Sequence, residues 1–589
     1  MERKNVMKST RIYILIFALC SLFLIPGCSW IEENPDSLVT DTNIGDSKEA
    51  CDQLVTGVYS KWIYDMFCWG YFPRMLEFDA DYISGPDWLF GTFGAGNFQG
   101  ETDLVDALWK GCYGLIGRAN NAERQISAMK NITDKEKNNA IGELRFQKAF
   151  AYFLLVRAYG AVPIQPETET FDRNQPRKPV TEVYDYIVSQ LESATQMLYK
   201  NTDDAYQTGH VSAGSAAGLL AKVYATEAAG AMPAGTEVTI RTGAPYTTDV
   251  NGNKQYAPLQ TQILYKQAVS GYESLDAQAL WAKAAEWAGD VVDGIYGSYT
   301  LLDYNQLWTK ANANASEFLF SIGTVSGDAT YKTSVHTQYE GYKTALGSDY
   351  IQSGGWTGCT RHWYDLFDHD DYRITQGVKH RWRIYTQEAS NSGFYYPYDE
   401  EYTIMATGRN MAGDWVKDPT GIFADGVNYY YSMDYQCLAF TTKYEDVTND
   451  AIDNADANWP FLRLADVILI YAEALNELDK PSDALAQLNK VRTRANAGRA
   501  SMGGKHALAT KQARRSAIIE ERAKELACEA DRRWDLIRWG IYLDAMNAIG
   551  GNDDGGVNKK RTERNLLFPI PQQEINTNSN INTNNPGWQ

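Results

Sequence analysis

The sequence predicts a mainly α fold, a tetratricopeptide-like scaffold of helical hairpins with a large, loop-rich inserted lobe containing short strands. Three observations predict it. Apolar residues recur at helical spacing in successive paired segments over about 46–300 and again over 459–589. The pairs repeat on a scale of roughly 35 to 40 residues, the size of a stacking helical hairpin. Between 301 and 458 the period gives way to Gly, Tyr, Trp and Asp with short strand-like runs.

The most regular stretch runs from Phe461 to Gly540. Leu464, Val467, Ile468, Tyr471, Ala472 and Leu475 fall on one helix face. Lys480-Pro481-Ser482 breaks that helix, and Leu485, Leu488 and Val491 restart the period until Gly498. A third helix, dense in Glu and Arg, is expected over about Lys511 to Gly540. The spacing of its charges between Glu520 and Arg538 predicts ion pairs between packed helices, not a catalytic or phosphate-binding patch.

The chain opens on an address. Arg3, Lys4, Lys8 and Arg11 precede the apolar run Ile12 to Ile25, too short to span a membrane and ordered like a secretory signal. The run ends Ile25-Pro26-Gly27-Cys28, which resembles a bacterial lipobox. Residues 1–27 are therefore expected to be cleaved and Cys28 acylated, with 28–45 a polar tether. No later segment is long and apolar enough to cross a bilayer, so lipid is the expected anchor.

Helices are expected over Ala50 to Tyr64, Leu104 to Met129, Lys135 to Gly160, Thr181 to Tyr199, Ser212 to Ala229, and from about Thr261 and Leu280, with an irregular insertion from Gly230 to Pro258. Trp69 to Gln99 has no period and mixes Gly, Pro, Asp and aromatics, a long irregular loop of the kind that usually has a task. Strand-like runs occur at Glu317 to Ile322 and Gln436 to Lys443.

Composition narrows the function. A formal charge of −19 argues against nucleic acid and anionic headgroups, and favours neutral or cationic ligands. Aromatic residues make up 13% of the chain, more than a helical core requires, so some rings should be exposed for stacking on a ligand. Cys51, Cys68, Cys112, Cys359, Cys437 and Cys528 form no CxxC pair, and no disulfide framework is legible. Cys112 and Cys528 fall in helical patterns and read as small core residues. The histidines give no HExxH, and neither GxSxG nor a P-loop is present. No metal, cofactor or catalytic residue is expected, and Asn552-Asp553-Asp554 reads as solvated surface.

Several blocks, in order, resemble the SusD/RagB family of nutrient-binding outer-membrane lipoproteins of the Bacteroidetes. Ala107-Leu108-Trp109, Ala119-Asn120-Asn121, and Glu143-Leu144-Arg145-Phe146 running to Gly160-Ala161-Val162-Pro163 match the N-terminal blocks. Arg463 to Val467, Tyr471-Ala472-Glu473, Leu488 to Ala495, Glu521-Arg522 and Arg533-Trp534-Asp535 to Gly540 match the C-terminal ones, with Leu567 to Pro571 and Asn585 to Trp588 closing the chain.

The resemblance implies a lipid-anchored, surface-exposed outer-membrane protein that binds a glycan and delivers it to a SusC-like TonB-dependent transporter. Peptide or another nutrient is the second reading, and a secreted glycoside hydrolase a distant third. Family members supply an Arg, a Trp and an Asn from the region of the first loop and another stacking aromatic from a second. That points to Arg74, Asp81, Trp88 and Asn97 in 69–99 and to Tyr350, Trp356 and Arg361 before Leu366-Phe367. Trp88 and Trp356 are the expected stacking platforms and the charged and amide groups the expected hydroxyl partners, whereas Trp363 reads as core.

Overall fold

The computed structural model describes residues 45–588 apart from 64–70, 168–170, 329–331, 341–349, 352–355, 385–391, 400–402, 404–406, 409, 411–415, 417–426, 449–454 and 552. Cys28, Cys68 and the rest of the leader and tether lie outside the described residues.

The fold is mainly helical, as the periodicity predicts. Helix α1 (Lys48–Lys61) starts where the Ser47 hydroxyl accepts from the Ala50 amide. After a short helix α2 (Tyr71–Leu76), strand β1 (Ile83–Ser84) and helical turn α3 (Asp87–Phe90), the long hairpin α4 (Asp103–Ala128) and α5 (Asp134–Tyr159) follows. A capping box of Thr133 and Glu136 opens α5, satisfying two end amides that otherwise lack partners. From Ala149 to Val156 every α5 residue is buried, so this helix is central, with α4 and α6 (Val180–Met197) packed against it. Helices α7 (Ala213–Ala231) and α8 (Ala277–Val292) form the next pair. The C-terminal hairpin of α9 (Leu464–Glu477) and α10 (Pro481–Arg494) packs on both.

Four expectations are corrected. The stretch Gly230 to Pro258 and the helix expected from Thr261 are two antiparallel ribbons, with Glu237–Thr242 against Gln260–Tyr265 and Tyr246–Thr248 against Lys254–Tyr256. The β-branched alternation Val238, Ile240, Thr242 faces inward and outcompetes the weak helical period. Phe461 belongs not to the α9 helix but to strand Trp459–Arg463, which pairs with Phe318–Ile322. Gln436 to Lys443 forms isolated bridges instead of a strand.

The expected helix Lys511 to Gly540 is two, α11 (Lys511–Glu525) and α12 (Arg532–Arg538). Cys528 lies in the turn between them, not in a helix. There Cys528 and Ala530 take φ of 63° and 68°, a conformation unfavourable for a side chain. The compensation comes from far away in sequence. Both turned amides donate to the Glu77 carboxylate, at 2.9 and 2.8 Å.

The charged residues of this block pair as the spacing predicts, and they do so in the interior. Arg463 is buried and bonds Glu529 at 2.6 Å, Glu317 at 2.9 Å and Glu525 at 2.9 Å. Arg522 bridges Asp466 and Asp535, and Arg538 holds Glu473. Burial works against a charge on Glu521, but Arg373, Lys524 and Arg492 outweigh it and hold its carboxyl at about 2.

Candidate functional site

The loop 69–99 is pinned from beneath by alternation. Glu77, Asp79 and Asp81 point inward to the C-terminal block: Glu77 to the α11–α12 turn, Asp79 to Arg533 at 2.5 Å and Arg561 at 2.9 Å, and Asp81 to Arg532 at 2.6 and 2.9 Å. All three are buried. Asp81 is thus an anchor, and its expected role as a hydroxyl partner is corrected. A carboxylate already bonded on both oxygens to a buried guanidinium has little left for a ligand. Phe78 and Phe90 stack at 4.0 Å beneath the loop, and Phe93 and Phe98 are buried.

Against that inward trend stands Trp88, which is 64% exposed on α3. A large ring left in water on a loop where Phe72, Phe78, Tyr82, Phe90, Phe93 and Phe98 are buried invites a binding role. Its neighbour is Trp356, half-buried, with ring centroids 5.4 Å apart and planes at 86°. The two expected platforms, some 270 residues apart in sequence, form one right-angled corner.

A small set of backbone contacts makes the corner. Strand β1 pairs antiparallel with Gly358–Cys359, Ile83 opposite Cys359 and Ser84 opposite Gly358, and the Thr360 amide extends the ladder to Tyr82 O at 2.7 Å. Gly85 is required here because a Cβ would lie 2.2 Å from the Trp356 carbonyl and 2.4 Å from the Phe90 ring. Gly555 completes the junction, its amide donating to the Ser84 hydroxyl at 3.1 Å.

Arg361 follows Trp356 by five residues, just after the strand Gly358–Cys359. It is half-buried, donates to Asp365 at 2.7 Å and to the Tyr398 carbonyl at 3.2 Å, and lies over the rings of Tyr256 and Tyr364. Burial opposes its charge, but Tyr396 and Asp365 more than offset this and keep the guanidinium protonated. Asn97 is exposed and donates to Gly91 O at 3.1 Å, closing the loop that carries Trp88. Arg74 is half-buried on α2. Tyr350 belongs to the strand Tyr350–Ile351, which pairs parallel with Arg381–Ile384 at the end of a four-stranded sheet; its side chain lies outside the described residues. Trp363 is core as expected, donating to Ala523 O at 3.0 Å.

Sequence reasoning missed the tyrosines beside Arg361. Tyr398 stacks on Tyr431 at 4.9 Å, and the hydroxyls of Tyr431 and Tyr256 touch. The runs Tyr429-Tyr430-Tyr431 and Tyr395-Tyr396 were the available signal, but in aperiodic loops nothing says which rings meet. Asp553 and Asp554 are not solvated, which corrects that expectation: both are buried, Asp553 bonding Ser84 at 2.7 Å and Asp554 accepting from the Arg361 amide.

Burial pushes the Asp554 carboxyl up to about 7, with Asp553 adding to the effect against the Arg361 amide. Between the unfolded value near 3.8 and about 7, the folded chain holds a proton that the unfolded chain has lost. Stability from this residue therefore falls as pH rises through that window, and the loss is complete above it. Asp554→Asn is expected to flatten this dependence. Melting of the variant and the parent at pH 5 and pH 8 checks it, since the Asn chain should lose less on the alkaline side.

Two family models match this chain. The model described as "Starch-binding associating with outer membrane" matches 29–225, and that of the "SusD family" matches 316–588. The chain belongs to the SusD/RagB family. Among its relatives, "SusD-like protein P2" of Formosa agariphila is 26% identical over 98% of this chain and 99% of its own. A crystallised SusD homolog from Bacteroides thetaiotaomicron superposes with a TM-score of 0.69 at 23% identity, covering 93% of this chain and 98% of its own. A "Laminarin binding SusD-like protein" superposes at 0.63 with 20% identity, covering 92% and 100%. These likenesses establish the fold over nearly the whole length, including the buried ion-paired block that the SusD/RagB model covers. Among the described residues, no helix is long and apolar enough to cross a membrane.

Proposed function

We propose that this SusD/RagB chain is a lipid-anchored glycan receptor of the outer membrane whose ligand stacks in the corner of Trp88 and Trp356. The observation that carries this reading is the exposed Trp88 ring set at 86° to Trp356. Sugar rings present an apolar C–H face that suits an aromatic plane, and two planes at right angles grip a chain that turns between successive residues. Arg361 and Asn97 are the hydroxyl partners from the two loops in this reading, and Arg74 and Tyr350 are further candidates.

The family description, which names starch binding and the outer membrane, and the laminarin-binding structural neighbour support a glycan over a peptide. The anchor in this reading is acylated Cys28, one residue before the first family match begins. Held there, the chain hands its glycan to a SusC-like TonB-dependent transporter. It needs no cofactor and performs no bond cleavage.

Native gels containing laminarin or starch test the binding claim on protein beginning after Cys28. Retardation by a polymer without release of reducing ends is the expected result. Reducing-end release by the pure protein would refute a binder without catalysis. A Cys28→Ala chain is expected to leave the membrane fraction on cell fractionation, and continued lipid labelling of that variant would overturn the anchor.

A further inference from the structure

One cavity takes no lining residue from the two loops that carry the tryptophan corner. It runs along the outer face of α4 and has a volume of about 470 Å³, within the range of small-ligand sites. Asp106, Tyr113 and Arg118 mark its length on that helix, about 18 Å at the helical rise. Gly114 and Gly117 keep its floor low. At Gly117 an added Cβ would stand 3.6 Å from the Phe171 ring.

Phe171 forms the wall. It is 45% exposed and meets Tyr113 edge-on at 6.3 Å. The next residue, Asp172, is tied to the buried Gln165 amide, which bonds its backbone in both directions, at 2.9 and 3.1 Å. Planar polar groups are part of the remaining lining: Arg118 and Arg173, both exposed, with Gln573 and Glu574 from the helix Gln572–Thr577. An exposed ring opposed by guanidinium, amide and carboxylate groups is the combination that recognises a hydroxyl-rich ring with an apolar face. An elongated floor about 18 Å long suits several linked units rather than one.

We propose that this groove is a second saccharide site, which takes a stretch of the same polymer engaged at the tryptophan corner. The proposal rests on the glycan-binding reading above. Two sites on one chain raise the effective concentration of a long polymer at each other, whereas a short oligosaccharide reaches only one at a time. The groove therefore selects for chain length.

The test uses Phe171→Ala and, separately, Gly117→Leu, which keeps the Phe171 ring and fills the groove from the floor against it. Probes are laminarin and starch in native gels and their purified short oligosaccharides in calorimetry. Both variants are expected to weaken retention by the polymer at least about tenfold while leaving oligosaccharide affinity at the tryptophan corner unchanged. Polymer retention equal to the parent's in both variants overturns the second site. Loss of retention in these variants together with full retention by Trp88→Ala/Trp356→Ala would instead sustain the groove and refute the corner. No retention by any chain, the parent included, overturns both.

Discussion

Replacing Trp88 and Trp356 together by alanine is expected to abolish oligosaccharide binding while the chain stays folded. Each ring, as a central aromatic contact, is worth about 2 kcal/mol or more, so losing both weakens binding roughly a thousandfold. Stability should barely move for Trp88, which is 64% exposed, since substitutions of exposed side chains stay within about 0.5 kcal/mol. Calorimetry with an oligosaccharide that the parent binds, alongside melting of both proteins, measures the two effects separately. Unchanged affinity in the double variant would move the ligand away from this corner. A graded series adds resolution: Trp88→Phe keeps a smaller face and should retain part of the affinity, whereas Trp88→Ala should not.

Removing the Arg463 guanidinium is expected to have the largest effect on stability. Three carboxylates, Glu317, Glu525 and Glu529, converge on it, and it is buried with all of them. Arg463→Met preserves much of the volume but leaves acids in a low-dielectric interior with one cation fewer, a change worth about 3 to 5 kcal/mol. Arg494 and Lys443 still face Glu525 and Glu529, so the fold should weaken without collapsing. The midpoint of urea unfolding reads the loss. A variant as resistant as the parent would show that the network contributes little beyond what a packed apolar side chain provides. The same substitution should leave oligosaccharide affinity unchanged in the folded fraction, because the carboxylates bonded to Arg463 are Glu317, Glu525 and Glu529, none of which belongs to the two loops that carry the corner.

The two expectations differ in kind because the two regions do. In the C-terminal block charge is abundant, and from Glu521 to Arg538 it is internal. In the loop 69–99 Glu77, Asp79 and Asp81 are internal, whereas Trp88 is external, beside the exposed Asp87. Glu77, Asp79 and Asp81 link them, since each fixes the loop by bonding the block. A change in the block that tilted these anchors would be felt at Trp88 through α3.

The hairpins from α4 to α8 and from α9 to α10 were legible because a packed helix must place apolar residues every three or four positions, and that spacing is local. The helix break at Lys480-Pro481-Ser482 was legible for the same reason, since Pro481 at the first position of α10 acts locally. The tryptophan pair was legible only through family resemblance, which indicated the two loops but not that their rings meet. Where an interaction spans the chain, the sequence was silent or misleading. The break between α11 and α12 depends on Glu77, more than 400 residues away, and Cys528 therefore reads as helical until that carboxylate is in place.

By itself, then, the sequence determined the helical scaffold, the acidic balance that argues against nucleic acid, the order of the family blocks and the two loops in which to look for a ligand. Tertiary structure alone decided which side chains in those loops are free. Asp81 and Trp88 stand seven residues apart in equally aperiodic chain, yet one is consumed by Arg532 and the other is left in solvent beside Trp356. Whether a polar or aromatic group is available to a ligand depends on what the rest of the molecule brings to it, and loop residues carry no period from which that could be read.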